Sequence, residues 1–261
     1  MLVDSHCHLD RLDLTPFDGD LGQALAAAAA NGVGHFLCVA IDLAHWSAML
    51  ERVRPYRNVS VSVGVHPSET LREQAAAEEL VRRAAANPRV VAIGETGLDY
   101  YYGKDSRAEQ QRSFRIHVAA AIAAGKPLIV HTRDAKEDTL AILKEEGAER
   151  VGGVLHCFTE DWDMAERAME LGFYVSFSGI VTFRNAESLR EVARRMPAER
   201  LLVETDAPYL APVPYRGKSN QPAWVKHVAE CLAAVREEPF EQLAATTTAN
   251  YFRLFGHGTA A

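Results

Sequence analysis

With 261 residues, 48% hydrophobic and 24% charged, the chain is long and apolar enough to bury one large core, which excludes a disordered segment or a small disulfide-stapled module. A formal charge of −7 repels polyanions at long range and argues against a general nucleic-acid coating protein, while leaving room for a local basic or metal-lined pocket. The scattered cysteines, Cys7, Cys38, Cys157 and Cys231, include no Cys-x-x-Cys pair, so they indicate neither a disulfide framework nor a structural zinc knuckle and fit a reducing cytoplasm.

The first predicted strand is Leu2–His6; its charged Asp4 and polar His6 stand where a signal peptide needs an apolar run. Ala24–Ala30 reads as a helix too short to span a bilayer, and nothing else suggests a membrane span. Strands follow at His35–Ala40 and Val59–Gly64, a helix at Ala75–Ala86, a strand at Val90–Glu95 and a helix at Arg107–Ala124. The alternation continues with strand Leu128–His131, helix Ala135–Glu146, strand Gly153–His156, helix Trp162–Leu171, strand Phe173–Ser176, helix Ala186–Met196 and strand Leu201–Glu204. Helices at Pro222–Val235 and Phe240–Phe255 complete the chain. Gly or Pro breaks the return to the next strand at Asn31-Gly32, Asn87-Pro88, Gly125-Lys126-Pro127, Gly147, Gly172 and Pro197. Strands alternating with helices predict an α/β fold, a (β/α)8 TIM-type barrel with additional C-terminal helices, in one domain over residues 1–261. The competing doubly wound sheet usually carries a Gly-rich phosphate loop after its first strand, and none follows His8.

Candidate ligands sit at the C-terminal ends of different predicted strands, the face on which barrel enzymes assemble their sites. In an extended chain His6 and His8 share one face and Cys7 takes the other. Glu95, His131 and His156 end later strands, and Asp206 follows the last. Each has an ordinary alternative: His6 and His8 as surface histidines, Glu95 as a turn acid, His131 and His156 as satisfied core residues, Asp206 as a cap. Recurrence at equivalent positions favours a shared centre. Imidazole nitrogens and carboxylate oxygens in this number suit two divalent ions with open positions for water and substrate. Glu204 reads as pointing outward or bonding a neighbouring loop, and Cys7 and Cys157 as packing residues turned away by strand alternation.

The motifs Asp-Ser-His-Cys-His-Leu-Asp at 4–10, Gly-Val-His-Pro at 64–67, Ile-Gly-Glu-Thr-Gly-Leu-Asp-Tyr at 93–100, His-Thr-Arg-Asp-Ala at 131–135, His-Cys-Phe at 156–158 and Glu-Thr-Asp-Ala-Pro-Tyr-Leu at 204–210 occur in that order. With them the chain resembles the TatD-like metal-dependent deoxyribonucleases of the metallo-dependent hydrolase superfamily. The resemblance implies a TIM-type barrel and metal-dependent cleavage of DNA phosphodiesters, exonucleolytic in character, on single strands or duplex ends. It also implies His6, His8, Glu95, His131, His156 and Asp206 as metal ligands, with Glu95 bridging two ions. Family members often have Ser-Gly after His-Cys-Phe, whereas this chain has Thr159-Glu160, a carboxylate that would repel phosphate if it faced inward. Glu95 stands where many superfamily relatives carry a carboxylated lysine, which fits the TatD-like branch.

For this chemistry Glu95 and Asp206 are the expected catalytic residues, with a metal-activated water attacking phosphorus and Asp206 as both ligand and general base. Zinc suits the imidazoles; magnesium or manganese suits the carboxylates and phosphate. Expected substrate contacts are Arg133, Arg216 and Lys218, which can grip phosphate, and His66, which either donates to substrate or makes a structural hydrogen bond. Tyr100, Tyr101 and Tyr102 lie where aromatic faces either stack on unpaired bases or pack at a rim. His35, His45, His117, His227 and His257 are left outside the site. The competing functions are an amide, ester or lactone hydrolase on the same barrel and a catalytically silent metal or nucleic-acid binding module.

Overall fold

The computed structural model describes residues 1–256, so His257 lies outside the described residues. Eight parallel strands, β1 (Leu2–Cys7), β2 (Val33–Cys38), β3 (Val59–Val63), β4 (Val90–Asp99), β5 (Leu128–Arg133), β6 (Gly153–Leu155), β7 (Phe173–Phe177) and β8 (Leu201–Val203), pair in sequence order around a TIM-type barrel. Helices α1 (Leu21–Ala30), α2 (Trp46–Val53), α3 (Ala77–Ala86), α4 (Arg107–Ala124), α5 (Lys136–Glu145), α6 (Trp162–Glu170) and α7 (Glu187–Arg195) run between strands, and α8 (Val225–Val235) and α9 (Phe240–Phe255) follow the last. Helices cover the outer faces, so the strands are buried throughout or nearly so rather than alternately, as parallel sheets require.

Two hydrophobic clusters divide the interior. The larger lies between strands and helices; the smaller gathers Val3, Leu37, Val91, Ile129, Val154, Tyr174 and Leu202, one from each of seven strands, with Tyr251 and Phe255 of α9. Asn250 donates to Leu201 O and Thr248 to Met1 O, both at strand beginnings, so α9 stoppers the N-terminal end of the barrel. The expected C-terminal helices therefore cover the barrel, leaving the opposite mouth open.

The seam between β8 and β1 is closed without a regular ladder. An isolated bridge pairs Cys7 with Ala207, His8 N donates to Ala207 O at 2.8 Å, and Asp206 N donates to His6 O at 2.9 Å. The buried Asp4 carboxylate accepts from Thr205 N (2.9 Å) and Thr205 Oγ1 (2.6 Å), and Ser5 Oγ donates to Val203 O. Burial pushes the Asp4 carboxyl up to about 8, against the pull of its Thr205 hydrogen bonds.

Most strands end within a residue or two of the sequence expectation. The exceptions are β4, which runs on to Asp99 rather than ending at Glu95, and α2, which the apolar spacing did not single out. Gly94 and Gly97 let the strand bend and continue: their φ values are +143° and +129°, and a Cβ on Gly97 would lie 2.0 Å from His131 O. The register slips between Ile93 and Thr96, a bulge that re-aims Glu95 toward the mouth. Among the described residues no helix is long and apolar enough to cross a membrane.

Candidate metal centre

His6 lies in β1 and His8 just beyond it, Glu95 in β4, His131 in β5, and His156 just past β6. Asp206, three residues past β8, has φ +57°, a left-handed turn that Asp tolerates and that swings its carboxylate inward. These residues, which the sequence expectation grouped, converge at the open mouth. Glu95 is their hub: Oε1 lies 2.7 Å from His156 Nε2, 3.2 Å from His131 Nδ1 and 3.3 Å from His66 Nε2, while Oε2 lies 3.3 Å from His6 Nε2. Asp206 Oδ1 sits 3.4 Å from His8 Nε2 and 3.7 Å from His6 Nε2. All but the deeper-lying His6 line a cavity of about 750 Å³.

The outer hydrogen bonds decide which ring nitrogens carry hydrogen. His8 Nδ1 faces Val39 O at 2.9 Å, His131 Nε2 faces Asp99 Oδ2 at 3.2 Å, and His156 Nδ1 faces Glu204 Oε1 at 3.3 Å. Those oxygens only accept, so each of these rings donates outward and, in its neutral form, aims a lone pair at the centre. His66 has the opposite tautomer. Its Nδ1 accepts from Ser68 N at 3.1 Å, so the hydrogen is on Nε2, facing Glu95. His66 is thus arranged as a donor rather than a ligand.

Lone pairs therefore face lone pairs. His131 Nδ1 and His156 Nε2 stand 3.4 Å apart and both face the Glu95 carboxylate, and His6 Nε2 and His8 Nε2 are also 3.4 Å apart. Three groups, His6/His8/Glu95, His6/His156/Asp206 and His66/Glu95/His131, each bring their donor atoms within 4.8 Å of one another. Acceptors pressed together in a buried space need a cation between them, and imidazole with carboxylate is a donor set for divalent ions. The electrostatics agree. Burial would raise the Glu95 carboxyl, but the imidazoles, His156 foremost, hold it well below the usual range. Burial would lower the His156 imidazole, yet Glu95 and Glu204 drive it well above its ordinary value. Burial also opposes ionisation of Asp206, and its hydrogen bond to His8 and the imidazole charges still pull it down. Burial holds His66 down, outweighing the pull of Glu95. The field that favours a proton on His156 favours a metal cation in its place.

Asp99 and Glu204 are the residues that sequence reasoning missed. Of the two readings of Glu204 the outward one fails and the loop bond holds: the residue is fully buried, and its Oε1 accepts from Cys157 N, just past β6, at 2.8 Å as well as facing His156, a contact to the centre that the sequence reading did not include. A carboxylate directly after the apolar run 201–203 was the available signal; Asp99 becomes one only if β4 continues past Gly97. Cys157 is also corrected: φ +45° breaks the strand alternation, and the residue lines the cavity, with Sγ 3.2 Å from Ser178 Oγ. Cys7 is buried and packs on β2, its thiol meeting Leu37 O.

Among the expected substrate contacts, His66 and Arg133 line the cavity, and Arg11 joins them unforeseen. Arg216 and Lys218 do not line it; their cations lie over the rings of Phe183 (3.6 Å) and Tyr215 (5.6 Å). Thr159 lines the cavity, whereas Glu160 lines a separate depression with Asp161 and Trp162, so its carboxylate does not oppose the centre. Tyr100 is buried and donates to Asp138, while Tyr101 and Tyr102 are exposed at the rim. His35 bonds Ser60, and His117 bonds Val65 N and Ser113 O; both lie away from the cavity.

Comparison with known proteins gives a consistent picture. Residues 3–256 match the family model described as TatD related DNase. The chain is 54% identical over 254 residues to YcfH of Escherichia coli, an uncharacterized metal-dependent hydrolase, covering 97% of this chain and 95% of that one. It is 35% identical over 250 residues to the 3'-5' ssDNA/RNA exonuclease TatD of Escherichia fergusonii, covering 94% and 96%. The crystal structure of YjjV, a TatD homologue from Escherichia coli, superposes with a TM-score of 0.90 at 30% identity, covering 97% of each chain.

Proposed function

Since this chain belongs to the TatD-related DNase family of metal-dependent hydrolases, we propose that it hydrolyses phosphodiester bonds in DNA, working from strand ends. The single observation that carries the reading is the buried ring of inward lone pairs around Glu95, with outer hydrogen bonds fixing the tautomers of His8, His131 and His156. The reading assigns His6, His8, Glu95, His131, His156 and Asp206 as ligands of two divalent cations, zinc, magnesium or manganese, with Glu95 between them. Such cations supply Lewis acidity, making water nucleophilic near neutral pH and offsetting charge on phosphate.

The chain's own residues do the rest. Asp206 is 13% exposed against 2% for Glu95, so it is the acid on the solvent side, ionised and placed to take up the proton of an attacking water. His66 presents Nε2–H toward the centre and can donate to a phosphate oxygen. Arg11 and Arg133 supply cations at the cavity wall, which favours an anionic ester over a neutral amide or lactone. End-wise attack on an unpaired strand accords with the name of the Escherichia fergusonii relative. Free cysteines throughout, with Cys7 and Cys38 paired in register on β1 and β2 and unlinked, support a cytoplasmic setting.

The test is incubation of the protein, loaded in turn with each cation, with labelled single-stranded and duplex oligonucleotides, alongside amide, ester and lactone panels. We expect cation-dependent shortening of DNA from one end, abolished by a chelator. Intact DNA beside turnover of an amide or lactone would assign the centre to another reaction.

A further inference from the structure

Next to the metal centre two large aromatic side chains stand in water. Tyr101 is 50% exposed and Tyr102 75%, while their neighbour Tyr100 is buried. Simple rim packing would cover these rings. Their backbone is nevertheless firmly held: Asp99 Oδ1 accepts from Tyr101 N at 3.0 Å and from Tyr102 N at 2.8 Å. The other oxygen of that carboxylate faces His131 Nε2. One side chain therefore sets both the orientation of a ring at the centre and the position of the exposed tyrosines relative to it.

Arg133 completes the arrangement from β5. Its guanidinium lies 4.1 Å from the Tyr101 ring centroid and 4.8 Å from that of Tyr102, and the two rings meet edge to face at 4.7 Å. Cation–π contact braces the tyrosines, while none of the Arg133 guanidinium N–H groups has a protein acceptor among the described residues. A flat, exposed aromatic face beside unclaimed guanidinium donors matches a nucleotide, whose base stacks and whose phosphate takes charged hydrogen bonds. Tyr102 and Arg133 both line the cavity that holds Glu95 and His131, which places this surface on the path of a bound strand.

We propose that Tyr102, braced by Tyr101 and Arg133, is a stacking platform for the nucleobase adjoining the scissile phosphate, with Arg133 holding that nucleotide's phosphate. The proposal rests on the nuclease reading and deepens it by naming residues that select unpaired nucleotides, because a base inside a duplex cannot offer its face. Stacking tolerates every base, so the platform confers preference for single strands rather than for sequence.

The experiment pairs Tyr102→Ala and Tyr102→Phe with oligonucleotides of identical sequence, intact or carrying an abasic tetrahydrofuran residue at successive positions from the end. Binding is read by fluorescence anisotropy of a labelled single strand, and KM and kcat from cleavage in the metal-loaded protein. We expect Tyr102→Ala to raise Kd and KM about tenfold on intact strands, with the loss in KM rather than kcat, and Tyr102→Phe to restore both. At one abasic position wild type and Tyr102→Ala should become equal. Unchanged binding in Tyr102→Ala, or equal losses on intact and abasic strands at every position, would overturn the platform. Wild-type protein that binds strands through Tyr102 but cuts none would overturn the nuclease reading alone, and failure to bind any strand would overturn both.

Discussion

The two walls of the cavity position their candidate ligands by different means. On the β4–β5 wall, Asp99, His131 and Arg133 sit on a regular ladder in which Gly97 pairs with His131 and Asp99 with Arg133, and Glu95 stands in the bulge just before it. On the β8–β1 wall, where His6, His8 and Asp206 stand, the ladder is missing and a few side chains and isolated bonds hold the chains together. Repeated main-chain bonds make the first wall tolerant of losing any one side-chain contact. The second depends on Asp4 and Thr205.

The largest expected effect treats the walls alike. Glu95→Ala and Asp206→Ala, one from each, should cut metal-dependent hydrolysis on the order of a thousandfold or more while circular dichroism stays that of the folded barrel. Substantial activity in either purified variant would remove that residue from the chemistry. The next change separates the walls. Asp4→Ala leaves the Thr205 donors unsatisfied in a dry interior and should destabilise the fold by about 3 kcal/mol in urea titrations, whereas Thr132→Val on the ladder wall, which loses only the bond to Thr139, should cost about 1 kcal/mol. Equal costs would show that the seam is no weaker than the ladder.

Asp99→Asn tests how the ladder wall orients its ligand. It keeps the strand but weakens the acceptor that sets the His131 tautomer, and metal affinity by calorimetry should fall about 10- to 100-fold with little change in melting temperature. A further effect, confined to acid pH, concerns the loop carrying His66, propped from outside by His117. Burial pushes the His117 imidazole down to about 4 from 6.5, so as pH falls the unfolded chain takes up this proton before the folded one. Stability should therefore drop as pH falls from about 6.5 toward 4, with this group contributing about 1.5 kcal/mol between pH 6.5 and 5. His117→Gln, which keeps an acceptor for Val65 N, should flatten that slope in denaturant midpoints measured across the range.

The barrel was legible because each strand is a short apolar run and each return carries Gly or Pro, signals that need no tertiary knowledge. The convergence at the mouth followed from strand ends alone, since a parallel barrel points all of them the same way. What escaped depended on backbone detail. Asp99 was hidden because the apolar run was taken to end at Glu95, whereas the strand continues through Gly97, and Cys157 was assigned to the wrong face because one left-handed residue breaks the alternation. The loop bond of Glu204 was among its readings, but its second partner, His156, was not, because the two are remote in sequence. Arg216 and Lys218 drew attention by charge, but each lies over an aromatic ring away from the cavity.

The clustering of Glu95, Asp206 and four imidazoles in one buried pocket has a consequence for how long the protein survives. Divalent ions would bind these gathered donors only in the folded chain, since unfolding scatters them. By linkage, each tenfold rise in free cation above its dissociation constant adds about 1.4 kcal/mol per site to the unfolding free energy. Metal supply would then govern turnover of the polypeptide itself, with starved molecules reaching the proteases first.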